Sequence, residues 1–226
     1  MLILAIDTSG QSGGITLAEA DEKSFRKIES APIAGGTFSA QLIPTVAALL
    51  SKHGYRAADI GGFAAASGPG SFTGLRVGLS AIKGLAETLH KPIATVSVLE
   101  ALAALSDHNG KIASALDAGR KEIFLGLYEK SDRSLFKERE ELLTQQDFLA
   151  ALSREEDIWL ITNETSIAEL AAGLHCAVSV VERPGSEMIA RIGAGKLLSG
   201  ETATVEALDA NYLRRSDAEI FFKGTR

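Results

Sequence analysis

Cysteine is nearly absent: Cys176 is the only one in 226 residues, so no intrachain disulfide can form. It follows His175 in an apolar stretch, and nothing in that context argues for a lowered thiol pKa. Basic charge is short as well. Twenty-three Lys and Arg stand against 29 Asp and Glu, a net charge of −6, so there is no global basic footprint for nucleic acid and only a local patch stays open. Long hydrophobic runs are missing. The opening Leu2-Ile3-Leu4-Ala5-Ile6 is too short to span a bilayer, and no basic segment precedes it. The expectation is a cytoplasmic protein without a signal peptide or membrane partner. Histidine is sparse: His53, His90, His108 and His175 include no pair four apart, so no helix face offers two imidazoles to one metal. No glycine turn ends in the Gly-Lys-Ser/Thr of a P-loop, and Ser67 in Ala-Ser-Gly-Pro-Gly does not match the nucleophile elbow Gly-x-Ser-x-Gly. The remaining composition, 46% hydrophobic and 23% charged, is that of a globular chain long enough for one large domain or two small ones.

The stretch from Ser67 to Leu89 organises the rest. An apolar run, Ile60 to Ala66, reads as a buried strand leading into Ser67-Gly68-Pro69-Gly70-Ser71-Phe72-Thr73-Gly74-Leu75-Arg76. A tight turn there launches a helix, with Ser71 or Thr73 able to cap its free N–H groups. Leu75, Leu79, Ile82, Ala86 and Leu89 form an apolar seam at helical spacing. Gly70, Gly74 and Gly78 recur every fourth residue and leave a strip without side chains. A glycine inside a helix costs ~1 kcal/mol against alanine, so the strip signals another backbone lying close. Two readings stay open: the neighbour belongs to the same chain, or to a partner subunit.

Before this stretch, Leu2–Ile6, Ile15–Glu19 and Ser24–Ser30 read as an antiparallel meander with Asp7 at its first turn. A helix from about Ser39 to His53 turns Leu42, Val46, Leu49 and Leu50 inward. After it, Pro92–Val96 is a strand, and Ser97-Val98-Leu99-Glu100 matches a capping box. The pattern then restarts. Ile112–Leu116 ends in Asp117-Ala118-Gly119, and Glu122–Glu129 is the next strand. Thr144 opens a helix through Leu152, followed by a strand at Ile158–Ile161, a helix at Ser166–Leu174, a strand at Val178–Val181 and a helix at Ser186–Leu198. Gly193 and Gly195 lie inside that last helical pattern and read as packing positions. The division predicted is an N-terminal domain over 1–106, carrying the glycine-rich helix, and a C-terminal domain over 107–226.

A duplicated β-meander plus helices, with an acidic residue at each first turn, resembles the two-domain α/β actin-like ATPase fold (ASKHA, RNase H-like). In that superfamily the two aspartates flank nucleotide phosphates. Four segments are more particular: Leu4-Ala5-Ile6-Asp7-Thr8-Ser9, Gly68 to Arg76, Asp117-Ala118-Gly119-Arg120-Lys121-Glu122-Ile123-Phe124 and Tyr212-Leu213-Arg214. Together they resemble the TsaB (YeaZ) family over essentially the whole chain. The resemblance implies a bacterial accessory subunit, without activity of its own, in a threonylcarbamoyltransferase complex that modifies adenosine 37 of tRNAs reading ANN codons. In that scheme TsaC makes threonylcarbamoyl-AMP, the paralogous catalytic subunit TsaD transfers the group, and the small ATPase TsaE joins them. TsaB pairs with TsaD as a heterodimer, or with itself as a homodimer, and meets tRNA only through the complex. The partner interface it implies comprises Gly70, Ser71, Phe72, Thr73, Gly74, Leu75, Arg76, Gly78, Leu79 and Ile82. Gly74→Arg or Gly78→Leu is expected to abolish pairing and leave the fold intact.

No catalytic residue and no metal ligand is assigned. The catalytic relative carries a His-x-x-x-His pair on its first long helix, and TsaB relatives often keep a histidine just before the serine there; this chain has Phe38. Asp7, Thr8, Ser9, Asp117 and Gly119 are read as vestigial phosphate loops whose aspartates cap turns. No cofactor is expected to bind tightly, and ATP or ADP is left only to the partner interface. Arg76 suits an anion or a partner carboxylate as well as plain exposure. Arg214, Arg215, Lys223 and Arg226 form a modest basic tail, suited to tRNA phosphate or to solvent. Rival functions are a free-standing actin-like small-molecule kinase or ATPase using Asp7 and Asp117, and a glycoprotease-like (M22-type) metallopeptidase.

Overall fold

A computed structural model describes residues 1–132, 134–204 and 208; the Tyr212-Leu213-Arg214 motif and the basic residues Arg214, Arg215, Lys223 and Arg226 lie outside the described residues. Strand β1 (Leu2–Asp7) is buried at every position, as a strand must be when it is flanked on both sides and covered on both faces. It pairs antiparallel with β2 (Ser12–Ala20), Leu4 opposite Leu17, and β2 pairs antiparallel with β3 (Phe25–Ala34). Helix α1 (Phe38–Lys52) and a short 3-10 turn (Ala57–Asp59) lead to β4 (Gly62–Gly68), parallel to β1 with Ala5 opposite Ala64. Helix α2 (Phe72–Leu89) then crosses to β5 (Ile93–Ser97), parallel to β4. The sheet order is β3-β2-β1-β4-β5.

After helix α3 (Val98–Ala104) the plan is repeated. Strands β6 (Gly110–Gly119), β7 (Glu122–Ser131) and β8 (Ser134–Thr144) form a second antiparallel meander. Helix α4 (Gln145–Leu152), β9 (Trp159–Thr162), α5 (Thr165–Ala171), β10 (Ala177–Val180) and α6 (Ser186–Ser199) complete the described elements. The second sheet runs β10-β9-β6-β7-β8, with β9 parallel to β6 and β10 parallel to β9. Read from its meander end, it has the order of the first. This is the duplicated RNase H-like unit of the actin-like fold, and Asp7 and Asp117 occupy the same place in the two copies, at the end of the first strand. Strand β8 is absent from the sequence reading, which passes straight from β7 to the helix at Thr144.

The chain divides into two compact units, one of Met1–Ala101 with the stretch beginning at Pro184, the other beginning at Leu102 and including everything up to Arg183. A cut at 107 places the last helix in the second half; α6 instead closes the first unit. The reason is steric. A Cβ at Gly193 would come within 3 Å of the Ala64 Cβ, so only glycine lets α6 lie this close to β4. Leu197 fills the space over Gly62, and the Ser186 hydroxyl hydrogen-bonds that of Thr16 at 2.8 Å. Neighbouring residues of a strand point to opposite faces. Gly13 faces Phe38 of α1 and Gly14 faces Ser186 of α6, so the sheet is sandwiched between α1 with α2 and α6. In the second unit, Phe148, Leu152, Ile167 and Ala171 pack on Ala113, Ala115, Leu125, Leu127 and Leu160.

Candidate partner interface

Helix α2 is launched from the end of β4. Gly68 has φ +108°, open to glycine and costly for other residues, and the Gly68–Pro69 bond is cis. Ser71, rather than Thr73, is the N-cap: its Oγ accepts from Gly74 N at 3.2 Å. The seam Leu75, Leu79, Ile82 and Ala86 is buried as its spacing predicts.

The glycine strip meets the chain's own first turn. Cβ atoms at Gly70, Gly74 and Gly78 would each come within 3 Å of Ser9 O, Thr8 O and Thr8 Oγ1 respectively. The turn is bonded to the helix as well as pressed against it. Thr8 Oγ1 donates to Gly74 O at 2.7 Å, and Ser71 N donates to Ser9 O at 2.7 Å. Of the two readings of the strip, the same-chain neighbour is therefore the one present. Gly74, Leu75, Gly78, Leu79 and Ile82 are buried inside the first unit and are removed from the surface set. Gly74→Arg and Gly78→Leu would drive side chains into Thr8, so they would disturb the fold and cannot test an interface cleanly. Gly70, Ser71, Phe72, Thr73 and Arg76 remain on the surface. The Arg76 guanidinium sits 3.7 Å from the centre of the Phe72 ring, a cation–π contact within its own helix.

The outer face of α2 carries a different strip. Thr73, Val77, Ser80 and Gly84 recur at helical spacing, three of them exposed and Val77 partly so, and a Cβ at Gly84 would meet nothing within 4 Å. Beside it, α1 exposes Ala40, Ile43 (49% exposed), Pro44, Ala47 and Ala48. An amphipathic helix normally shows polar groups on that side. The sequence reading missed this second apolar face because it looked for the inward set; Ala40, Ile43 and Ala47 at i, i+3 and i+7 were the available signal. A cleft of about 380 Å3 opens where the two helices begin, between Phe38, Ser39, Ser71, Thr73, Val77 and the Gly10-Gln11 turn.

The two aspartates do one job twice. Asp7 Oδ1 accepts from Ser9 N at 2.9 Å and Ser9 Oγ at 2.6 Å, and Asp117 Oδ1 accepts from Gly119 N at 2.9 Å. Asp7, Thr8 and Ser9 are 4%, 2% and 2% exposed, whereas Asp117 is on the surface. At the start of α1 the inward positions are Phe38 and Leu42, buried carbon side chains with no lone pair for a metal; the phenyl ring lies in the notch left by Gly13 and Gly74. His53 is instead bonded through Nε2 to Glu29 at 2.7 Å, and His108 stacks on Trp159. At the far end of α1, Lys52 also reaches Glu29, and Tyr55 donates to Glu19 at 2.8 Å. Lys52, with His53, holds the Glu29 carboxyl below its usual range; the Tyr55 hydroxyl, with Arg26, does the same for Glu19. Burial pushes the Cys176 thiol up, away from nucleophilic use.

Among the described residues no helix is long and apolar enough to cross a membrane. Residues 32–181 match the family described as TsaD, tRNA N6-adenosine threonylcarbamoyltransferase. The tRNA threonylcarbamoyladenosine biosynthesis protein TsaB of Bacillus subtilis (strain 168) is 31% identical over 97% of this chain and 96% of its own length. Its namesake in Escherichia coli (strain K12) is 27% identical over 96% of each. YeaZ from Pseudomonas aeruginosa superposes with a TM-score of 0.73 at 22% identity, covering 93% of this chain and all of that one, which speaks for the fold. Strand order, turn chemistry and end-to-end similarity agree: this chain belongs to the TsaB (YeaZ) family.

Proposed function

We propose that this chain serves tRNA threonylcarbamoyladenosine biosynthesis as a non-catalytic subunit that binds a TsaD-type catalytic subunit through the outer faces of α1 and α2. The carrying observation is that pair of faces: small, weakly charged side chains side by side on two adjacent helices, with Gly84 open to close approach. The stretch resembling the TsaD family begins at residue 32 and contains both helices. A catalytic subunit built on the same plan can present the matching pair, giving a quasi-two-fold contact, and a second copy of this chain can do the same when that subunit is absent. The TsaE ATPase and tRNA then meet the assembly rather than this chain alone, in the cytoplasm.

The aspartate turns support a role without tight nucleotide binding. Asp7 Oδ1 is already shared by two donors of Ser9, and Thr8 and Ser9 are committed to α2. ATP or ADP is left to the interface with the catalytic subunit. No metal is invoked for this chain, since Phe38 and Leu42 offer none of the donors a metal needs.

The test is reconstitution. With the same organism's TsaC, TsaD and TsaE, ATP, threonine, bicarbonate and tRNA, the modified nucleoside detected by mass after digestion should depend on this chain. Modification by the other three alone would sink the proposal. Ala47→Arg and Gly84→Arg, both at exposed positions, should melt like wild type and yet lower affinity for TsaD at least tenfold, on the scale of a charge forced into an apolar contact.

A further inference from the structure

The first turn of the chain holds a buried carboxylate and two buried hydroxyls for which the proposed function has no chemical use. We infer that Thr8, set in place by Asp7 and Ser9, is a positioning residue for partner binding: it fixes the axial register and rotation of α2, and so decides which side chains that helix turns outward. The inference rests on the interface proposed above.

Three observations carry it. The Thr8 hydroxyl lies between two successive glycines of α2, donating to Gly74 O at 2.7 Å while occupying the place a Gly78 Cβ would take. It works as a knob in a hole that only glycines provide. The turn itself cannot drift, because Asp7 Oδ1 holds both the backbone and the hydroxyl of Ser9, and Ser9 O in turn takes Ser71 N at the cap of α2. Finally, the hole exists in one register. Each residue along a helix turns it by about 100° and advances it by ~1.5 Å. A one-residue slip would set Leu75 and Leu79, or Thr73 and Val77, against Thr8 where Gly74 and Gly78 now lie. The same rotation would take Thr73, Val77, Ser80 and Gly84 away from the surface they form with α1. A turn that in other actin-like proteins addresses a nucleotide thus serves here as a seat for a helix.

The experiment measures affinity for the TsaD subunit at 20 °C on the full chain, with the melting temperature of each variant. Thr8→Val keeps the shape and removes the donor; it should weaken binding roughly tenfold, the scale of one lost buried hydrogen bond, while Thr8→Ser stays within about threefold of wild type. Gly78→Ala should weaken binding at least as much. Thr8→Ala combined with Gly78→Ala moves a methyl from one side of the contact to the other and should bind more tightly than Gly78→Ala alone. A merely structural role predicts otherwise: Phe148→Leu in the second unit, buried and remote from the turn in sequence, should lower the melting temperature and leave affinity unchanged. Thr8→Val binding like wild type, no recovery in the double variant, or a loss of affinity in Phe148→Leu matching its loss of stability would each overturn the inference. Absence of binding by the wild-type chain would instead overturn the interface itself, and this reading with it.

Discussion

At the scale of single residues, electrostatics and sterics act at different ends of α1 and α2. Glu29 accepts from Lys52 and His53, and their donation holds its carboxyl below the usual carboxylate range. A carboxylate with a depressed folded-state pKa contributes stability above its unfolded value, about 4.3, and that contribution is lost as the pH falls through the folded value. Glu29→Gln should therefore melt below wild type at pH 7 and approach it as the pH drops below 4; a gap of constant size between pH 7 and pH 3, followed by circular dichroism, would contradict the assignment. At the other end, glycines speak of contact. The spacing of Gly70, Gly74 and Gly78 was legible as a close approach, because a helix does not tolerate three such residues without a reason. What approached was not legible: Thr8 and Ser9 stand more than sixty residues away, and no local pattern joins them to the strip. The aspartates were readable as turn caps, since an Asx turn needs only its own neighbours.

Elements were read best where burial imposes a period. Thr144 caps α4 through Asp147 N at 3.1 Å, as the sequence suggests, and α2 ends where its seam does, at Leu89. Strand β8 was missed for a physical reason: Lys137-Glu138-Arg139-Glu140-Glu141 is mostly exposed along a sheet edge, where charge guards against further pairing and hides the alternation of a half-buried strand. Helix α6 was found, yet its partner sheet could not be, because an apolar stripe does not name the sheet that covers it. Gly193 does so in the structure. Gly193→Val should cost about 1–3 kcal/mol in chemical denaturation by driving a side chain into Ala64. Gly195→Ala, two positions on and facing open space, should instead be neutral or stabilising by up to ~1 kcal/mol. Equal effects at the two positions would argue against the close packing of α6 on β4.

At the scale of the molecule, one plan is written twice, and the copies have diverged at their first turns: Asp7 is sealed beneath α2, whereas Asp117 stays at the surface. The first unit is not a contiguous piece of sequence, since α6 covers a face of its sheet from residues 186–199. A fragment of residues 1–106 should fail to give a cooperative thermal transition, although it contains β1 to β5; dispersed amide resonances and a sharp melt from that fragment would show that α6 is dispensable. The same arrangement has a consequence for synthesis. Once β5 has left the ribosome, nearly ninety residues must follow before α6 begins to appear, a delay of roughly 4–18 s at ~5–20 residues per second. Through that interval Ala64, Gly62 and Thr16 face water or whatever binds nascent apolar surface. The helix that would display the partner-binding strip is thus made early and seated on a sheet whose back is closed late, so the translating ribosome sets the earliest moment at which this subunit can be recruited.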